Sequence, residues 1–467
     1  MVHAGNAKRL FGTSGIRGGF DRVNPMSSMN LGRALGTLLK GNGIVAVGTD
    51  ARTSRVMLHH AFVSGLLSTG VDVVDLGIVP MPATGFQSSL ASIDVGVIIT
   101  ASHNPPTDNG FKFFRNGREF LRSEEVEVEK HYFGQDFLVA DWNLLGTKLF
   151  RNIRTPYMQR IKTMIVKRGG MNGSCKVLVD AANGAASNYT PHLLQSFGFS
   201  VVTVNSHQDG HFPGRPAEPS PRNLEFTMNM AAESDFAVTV CHDGDGDRLA
   251  VIDEKGRFID QNRVIALFAK YELEEQDGGL VVVSIDTSNV IDEIVRSHGG
   301  EVVRRPLGSL QEELALRYDR IVFASEPWKP IFTELGGWMD GIAGAVRLAQ
   351  LVVNEGDGSC IELMKQIPEY PMVRDFIACP DPLKKDFMQE VRKILPEKVS
   401  NIDKILEVDG VRVERNDGSY LLVRVSGTEP KARFYVGGRT QQSVDALAAT
   451  AKKTMTTILD ALEGNQS

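Results

Sequence analysis

Lys176-Val177-Leu178-Val179-Asp180 is a short β-branched run that ends in aspartate and gives way to Ala181-Ala182-Asn183-Gly184. An apolar run of that length, bounded by small polar residues, reads as a buried strand. A helical pattern and a further β-rich run come next. The same grammar stands earlier, where Ile44-Val45-Ala46-Val47-Gly48 leads to Asp50 and then Ala51-Arg52-Thr53-Ser54. It returns at Val281-Val282-Val283-Ser284-Ile285-Asp286, followed by Thr287-Ser288-Asn289. In the first unit Ser54 reads as the N-cap of a helix reaching about Ser68, and Val71–Val74 as the next strand. His59-His60, inside that helix, reads as a surface pair. Strand, polar turn, helix and strand, three times over, is the pattern of α/β domains.

Beyond about residue 367 the pattern changes. Tyr420–Val425 and Arg433–Val436 read as strands around a loop. The closing helix sets Val444, Leu447, Ala451, Met455, Ile458 and Leu462 on one face. The fold class that follows is α/β: three related domains with mixed sheets and a smaller C-terminal α+β domain. Boundaries are drawn at 1–148, 149–253, 254–366 and 367–467.

Length and composition set outer limits. At roughly 150 residues per domain, 467 residues suggest about three domains. Hydrophobic content of 42% and charged content of 23% are those of a soluble globular protein. A net charge of −6 without a dense Lys/Arg block argues against a nucleic-acid partner. No stretch approaches the ~20 apolar residues that span a bilayer, and Met1–Leu10 lacks the apolar core of a secretory signal. Cys175, Cys241, Cys360 and Cys379 are scattered without a C-x-x-C pair, which suits reduced thiols in a cytoplasmic protein.

Four stretches carry chemistry. Val95-Gly96-Val97-Ile98-Ile99 reads as a buried strand, and Thr100-Ala101-Ser102-His103-Asn104-Pro105 follows it. That puts Ser102 outside the carboxyl end of a strand, where open α/β sheets do their chemistry. Pro105-Pro106 keeps it on a loop, and without flanking glycines it is not the hydrolase elbow. Phe11-Gly12-Thr13-Ser14-Gly15-Ile16-Arg17-Gly18 offers backbone N–H groups and one guanidinium to an anion; a tight glycine turn is the competing reading.

Asp243-Gly244-Asp245-Gly246-Asp247-Arg248 places three carboxylates on alternate residues of a loosened turn, between strands expected at Phe236–Val240 and Leu249–Ile252. Unpaired, they would repel one another; a hard cation resolves this. Arg248 stands where an EF-hand loop needs glycine, so that motif is excluded. Magnesium suits the set, because it keeps positions open for a phosphate oxygen. Finally, Arg424-Val425-Ser426-Gly427-Thr428-Glu429-Pro430-Lys431-Ala432-Arg433 brackets a Ser-Gly-Thr turn with two arginines, a phosphate clamp or a charged β-turn. A loop serine, a carboxylate loop and a separate clamp together describe phosphoryl transfer on a substrate that already carries phosphate.

With these four motifs in order, the chain resembles the α-D-phosphohexomutase superfamily from Phe11 to the last helix. Val204-Asn205-Ser206-His207 and Pro213-Gly214-Arg215 bring it nearest the archaeal phosphoglucosamine mutase-like and phosphomannomutase/phosphoglucomutase branch. The resemblance implies four domains around a central cleft, each giving one loop. It makes Ser102 a phosphoserine, and Asp243, Asp245 and Asp247, with an oxygen on Ser102, the holders of one Mg²⁺ per chain. Arg17 and Lys112 support the transfer, Lys112 as general base or acid, with His103 able to share that role. Glu326 and Arg248 bind substrate. Arg424, Ser426, Gly427, Thr428 and Arg433 grip the phosphate that is not reacting.

The implied activity interconverts hexose 1-phosphate and 6-phosphate through a bisphosphorylated sugar, with hexose 1,6-bisphosphate as activator. Glucosamine is the first choice of sugar, and a phosphomannomutase/phosphoglucomutase the alternative. A non-catalytic sugar-phosphate binding protein is the rival from another class. The partner is a sugar phosphate, and the chain is a monomer or homodimer. One loop departs from the family. Its Gly-Glu-x-Ser-Gly reads here Ser325-Glu326-Pro327-Trp328-Lys329-Pro330, adding bulk and a cation that opposes an amino sugar.

Overall fold

The computed structural model describes residues 9–427 and 429–464. Its strands form four sheets. The first holds β1 (Ile16–Gly18), β2 (Ile44–Thr49), β3 (Asp72–Ile78), β4 (Val95–Ile99), β5 (Asn109–Arg115), β6 (Arg118–Glu119) and β7 (Lys148–Phe150). Their order is β1-β5-β4-β2-β3-β7, with β6 on β5. β2 pairs parallel with β3 and β4, whereas β5 returns antiparallel on β4 and β1. The second sheet holds β8 (Lys176–Asp180), β9 (Ser200–Val204), β10 (Val238–Cys241) and β11 (Ala250–Ile252), ordered β11-β10-β8-β9.

The third holds β12 (Gly279–Ser284), β13 (Gly300–Arg305), β14 (Ile321–Glu326) and β15 (Lys329–Phe332), in the order β13-β12-β14-β15. The fourth is antiparallel throughout: β16 (Met372–Ala378), β17 (Ile402–Leu406), β18 (Val411–Arg415), β19 (Tyr420–Val425) and β20 (Lys431–Gly437). Mixed sheets with crossover helices in three cases, and an antiparallel sheet with helices in the last, are the α/β and α+β architectures that the strand grammar predicts.

The chain divides into two compact units. One comprises residues 1–261, 311–319 and 323–365, the other 262–310, 320–322 and 366–467. In the first, β2, β4 and β5 bury Val45, Val47, Val97, Ile99, Phe111 and Phe113 in a single core with the helices Pro25–Leu38 and Arg55–Leu67. In the second, β18, β19 and β20 pack Val413, Leu421, Val423 and Phe434 against Val391, Val444, Leu447, Ala451, Met455 and Ile458. The 3.6-residue face of the last helix is therefore its buried face.

Two local expectations change. His59 is buried, with its ring Nε2 3.3 Å from Asp75 Oδ1, and only His60 is exposed. The helix Arg55–Leu67 packs on both the helix Pro25–Leu38 and the sheet, so its covered arc is wide. Ser54 precedes that helix, but its hydroxyl makes no capping bond; it donates instead to Asn109 Oδ1. The start of β5 competes for it.

Candidate active site

β4 ends at Ile99, and the next turn carries Ser102 in the left-handed region (φ 52°) with no exposed surface. Non-glycine residues occupy that region only where their surroundings hold them there. Arg52 is what holds this loop. Its guanidinium donates to the carbonyls of Ser102 (3.0 Å), Asn104 (2.7 Å) and Asp108 (3.0 Å) and to that of Pro105, while Nε donates to Asp50 Oδ2 (3.1 Å). The Ser102 N–H donates to Thr100 Oγ1 (2.8 Å), and that hydroxyl donates in turn to Asp50 Oδ2 (2.7 Å).

Opposite the serine lies the acidic turn between β10 and β11. Asp243, Asp245 and Asp247 are fully buried, with ligand oxygens within 4.8 Å of one another. Both glycines of the turn are required. A Cβ at Gly244 would stand 2.7 Å from the Ser102 carbonyl oxygen, and Gly246 has φ 75°. Ser102 Oγ donates to Asp243 Oδ2 (2.7 Å), so the hydroxyl is joined directly to the triad. β5 supplies the counter-charge. Paired in register with Ile98, Lys112 projects its ammonium to Asp245 Oδ2 (3.1 Å) and Asp247 Oδ2 (2.6 Å). The other oxygens of those two carboxylates, Oδ1 of Asp245 and Oδ1 of Asp247, are buried without a hydrogen-bond partner. Buried unpartnered carboxylate oxygens are costly. A hard divalent cation there would satisfy both, so the residues present fit such an ion.

Electrostatics agree. Burial pushes the Asp243 carboxyl well above the carboxylate range, and Asp247 and Asp245 push it the same way. For Asp247 burial is outweighed by Lys112, Lys329 and Arg248, which hold it well below that range. Burial likewise disfavours the Lys112 ammonium, but Asp245 and Asp247 prevail and lift it above the ordinary lysine value. Burial, then Arg248, Arg17 and Lys329, keep His103 far below the usual imidazole range, so its ring is neutral. Its Nδ1 lies 2.8 Å from Arg248 Nη2, 3.4 Å from Arg17 Nη1 and 3.4 Å from Ser102 Oγ.

Arg17 also donates to Asn104 Oδ1 (3.2 Å), and its loop is seated by Gly15, where a Cβ would lie 2.3 Å from the Phe111 carbonyl oxygen. The hairpin of β14 and β15 completes the group. Trp328, at its turn, has φ 69° and its ring 5.6 Å from the Arg248 guanidinium. Lys329 is buried, with Nζ 3.8 Å from both Asp247 Oδ2 and Glu326 Oε2. Asp243, Asp245, Asp247 and Glu326 thus meet Arg17, Lys112, Arg248 and Lys329, and Arg248 also pairs with Glu218 (3.3 Å).

In the second unit, Arg424 on β19 faces Arg433 on β20 in register. Each guanidinium is engaged, Arg424 by Asp409 (2.8 Å) and Arg433 by Glu429. The Ser426 N–H donates to the Lys431 carbonyl (2.9 Å), and Gly427 has open space where a Cβ would stand. Thr428 lies outside the described residues.

Family models describe the whole of this arrangement. Phosphoglucomutase/phosphomannomutase α/β/α domains I, II and III match residues 8–139, 155–256 and 260–370, and the C-terminal domain of that family matches 377–453. The chain belongs to the phosphoglucomutase/phosphomannomutase family. A phosphopentomutase of Thermococcus kodakarensis is 41% identical over 460 residues, covering 97% of this chain and 99% of its own. A protein of Methanopyrus kandleri named probable phosphoglucosamine mutase is 39% identical, covering 93% and 95%. Among solved structures, a phosphoglucomutase/phosphomannomutase family protein of Burkholderia thailandensis superposes with a TM-score of 0.85 at 24% identity, over 96% of this chain and 97% of that one. That likeness concerns the fold.

Against the family motifs, the first unit brings together Ser102, His103, Lys112, Arg17, the three aspartates, Arg248 and Glu326. Sequence reading missed Arg52, whose partners lie some fifty residues ahead with no local signal to point to them. It also missed Lys384, whose Nζ donates to the carbonyls of Ser426 (2.6 Å) and Glu429 (2.6 Å) and so shapes the loop between β19 and β20. Among the described residues, no helix is long and apolar enough to cross a membrane.

Proposed function

We propose that this member of the family is a phosphosugar mutase that passes a phosphoryl group through Ser102 between the anomeric oxygen and the terminal hydroxyl of an aldose phosphate. The observation that carries the reading is the hydroxyl of Ser102, 2.7 Å from Asp243 inside a buried three-carboxylate centre that also receives Lys112. Asp243, Asp245 and Asp247 would hold Mg²⁺ with an oxygen on Ser102, and that ion would supply charge neutralisation as the phosphoryl group moves.

In the transfer, a sugar hydroxyl attacks phosphorus, the bond to Ser102 Oγ breaks, the hydroxyl's proton replaces the one that Lys112 gives to Oγ, and a bisphosphorylated sugar forms. After that sugar reverses, its other phosphate returns to Oγ. Lys112 enters as an ammonium, a counter-charge and proton donor on the leaving oxygen. His103 enters as a neutral imidazole beside Oγ, kept in place by Arg17 and Arg248. Glu326 accepts hydrogen bonds from sugar hydroxyls. Arg424, Ser426, Gly427, Thr428 and Arg433 serve the phosphate that is not reacting, turning binding energy into positioning. A sugar 1,6- or 1,5-bisphosphate would load Ser102.

For the sugar, buried Lys329 favours a neutral aldose over glucosamine, because its ammonium stands 3.8 Å from Glu326, where a protonated amine would have to bind. The name phosphopentomutase on one relative supports a pentose phosphate, and the name phosphoglucosamine mutase on another supports the amino sugar. We take the neutral sugar, pentose or hexose, as the reading. The test is turnover of ribose 5-phosphate, glucose 1-phosphate, mannose 1-phosphate and glucosamine 6-phosphate in parallel, with Mg²⁺ and a trace of sugar bisphosphate. Glucosamine 6-phosphate as the best substrate would reverse the choice of sugar. No turnover of any, with Ser102 free of phosphate, would leave a binding protein.

A further inference from the structure

Val204-Asn205-Ser206-His207 and Pro213-Gly214-Arg215, which the chemistry above leaves without a role, frame the loop that follows β9. Its base is tied to the second sheet. The Asn183 N–H donates to the Asn205 carbonyl (2.6 Å), and the Asp209 N–H donates to the Asn183 carbonyl (2.9 Å). Arg215, paired with Asp180 (2.9 Å), donates to the carbonyl of His242 (2.7 Å), the residue before Asp243. The tip of the loop crosses from the second family domain to the first. A Cβ at Gly210 would stand 2.4 Å from the Thr53 nitrogen and 2.5 Å from the Ala51 carbonyl oxygen, so only glycine admits the contact.

Phe212 sits at this crossing. It is buried and has φ 52°, a left-handed conformation that a phenylalanine keeps only where its surroundings impose it. Its N–H closes a turn onto the Asp209 carbonyl (3.1 Å). Its ring faces the Arg52 guanidinium, whose Cζ lies 5.1 Å from the ring centroid, a cation–π contact. Arg52 is the residue that holds the Ser102 loop by four of its carbonyls. The far end of the ring meets the acidic turn: a Cβ at Gly244 would stand 3.3 Å from Phe212 Cζ. One ring thus touches both the clamp on the serine loop and the turn that carries the carboxylates.

We propose that Phe212 is a positioning residue for phosphoryl transfer, bracing Arg52 against the acidic turn and so fixing Ser102 Oγ relative to Asp243, Asp245 and Asp247. This rests on Ser102 carrying the phosphoryl group. Ser102 Oγ and Asp243 belong to loops of two different family domains, joined at the reacting atom by a hydrogen bond of 2.7 Å. Once Oγ is esterified it has no proton to donate, so that bond is lost in the loaded protein. The register of the two loops must then be kept by contacts that phosphorylation leaves unchanged. The stack of Arg52, Phe212 and Gly244 is such a contact. A shift of about 1 Å between reacting groups costs on the order of a hundredfold in rate, so loosening the brace should slow the transfer without weakening the grip on substrate.

The experiment is rapid-quench discharge of the full chain, phosphorylated on Ser102, to a sugar monophosphate, with steady-state kcat and KM alongside. Phe212→Leu and Phe212→Met each keep an apolar side chain and remove the ring. Both should discharge at least tenfold more slowly than wild type, with KM within threefold. In an Arg52→Lys background, where the forked clamp is already gone, Phe212→Leu should cost less than threefold. Phe199→Leu is the control: this phenylalanine is also buried, at the other end of β9, so its loss should lower the urea midpoint yet leave discharge within twofold of wild type. Discharge within threefold of wild type in either Phe212 variant overturns the proposal. So does a rise in KM that accounts for the whole loss, or an equal slowing in Phe199→Leu. A wild type that takes no phosphate on Ser102 overturns the serine reading itself, and the proposal with it.

Discussion

Replacing Lys329 by methionine should change which sugar this protein prefers. The substitution keeps the aliphatic stem and removes only the charge. Lys329 Nζ lies 3.8 Å from Glu326 Oε2, and an ammonium donating to Glu326 would stand roughly 5 Å from it. At an effective dielectric constant of about 20, two like charges at that distance repel by about 3 kcal/mol, roughly a hundredfold in relative kcat/KM. Neutral sugars feel none of this term. The Met variant should therefore raise the ratio of kcat/KM for glucosamine 6-phosphate over glucose 6-phosphate by about two orders of magnitude. Lys329→Arg, which keeps the charge, should leave the ratio near wild type. The assay is initial-rate kinetics of the two sugars side by side, so that a general loss of activity cancels. A ratio unchanged within about threefold in the Met variant would refute the reasoning, since the cation would then not be read by the sugar.

Three further outcomes follow from other parts of the first unit. Arg52→Met removes the donor to four loop carbonyls and leaves Asp50 as an unpaired buried carboxylate, so denaturant unfolding should show a loss of about 3–5 kcal/mol; a loss under ~1 kcal/mol would mean the loop does not depend on it. Addition of Mg²⁺ to chelator-treated protein should raise the melting temperature, by the equivalent of about 2.7 kcal/mol at a hundredfold excess over Kd, and Asp245→Asn should abolish most of that rise; an equal rise in the variant would place the ion elsewhere. Asp340 accepts from Tyr157, Trp338 Nε1 and the Ala343 N–H, yet burial pushes its carboxyl up to about 6. The folded state thus holds this proton more tightly than the unfolded chain, so the contribution is complete below about pH 4 and is lost as pH rises through 6, about 3 kcal/mol in all. Asp340→Asn should flatten that part of the stability profile, as read by urea midpoints at pH 4 and pH 7; an unchanged slope would clear Asp340 of the titration.

Much of the architecture was legible because periodicity and turn chemistry are local. Runs such as Lys176–Asp180 and Val281–Ser284 announce strands by composition, and the last helix announces its buried face by spacing. The acidic turn was legible as a cluster too, since three carboxylates on alternate residues of one glycine-loosened turn lie close together wherever they fold. What local sequence does not carry is the target of a long side chain. Arg52 reaches carbonyls of residues 102–108, and nothing about an arginine between a strand and a helix says so. Lys329 could equally have pointed to solvent; the left-handed turn at Trp328 directs the strand that brings it inward beside Asp247. His59 failed for the related reason that a helix covered on two sides buries positions its own pattern leaves polar.

The central claim is that Ser102 carries the phosphoryl group between substrate molecules. Its most direct test is to load the protein with a ³²P-labelled sugar bisphosphate, locate the label by peptide mass spectrometry, and chase it with unlabelled sugar monophosphate in a rapid-quench experiment. The account predicts one labelled site, Ser102, discharging to the sugar at least as fast as steady-state turnover, with Ser102→Ala folded, unlabelled and inactive. Label on another residue, discharge slower than turnover, or near-normal activity in Ser102→Ala would contradict it.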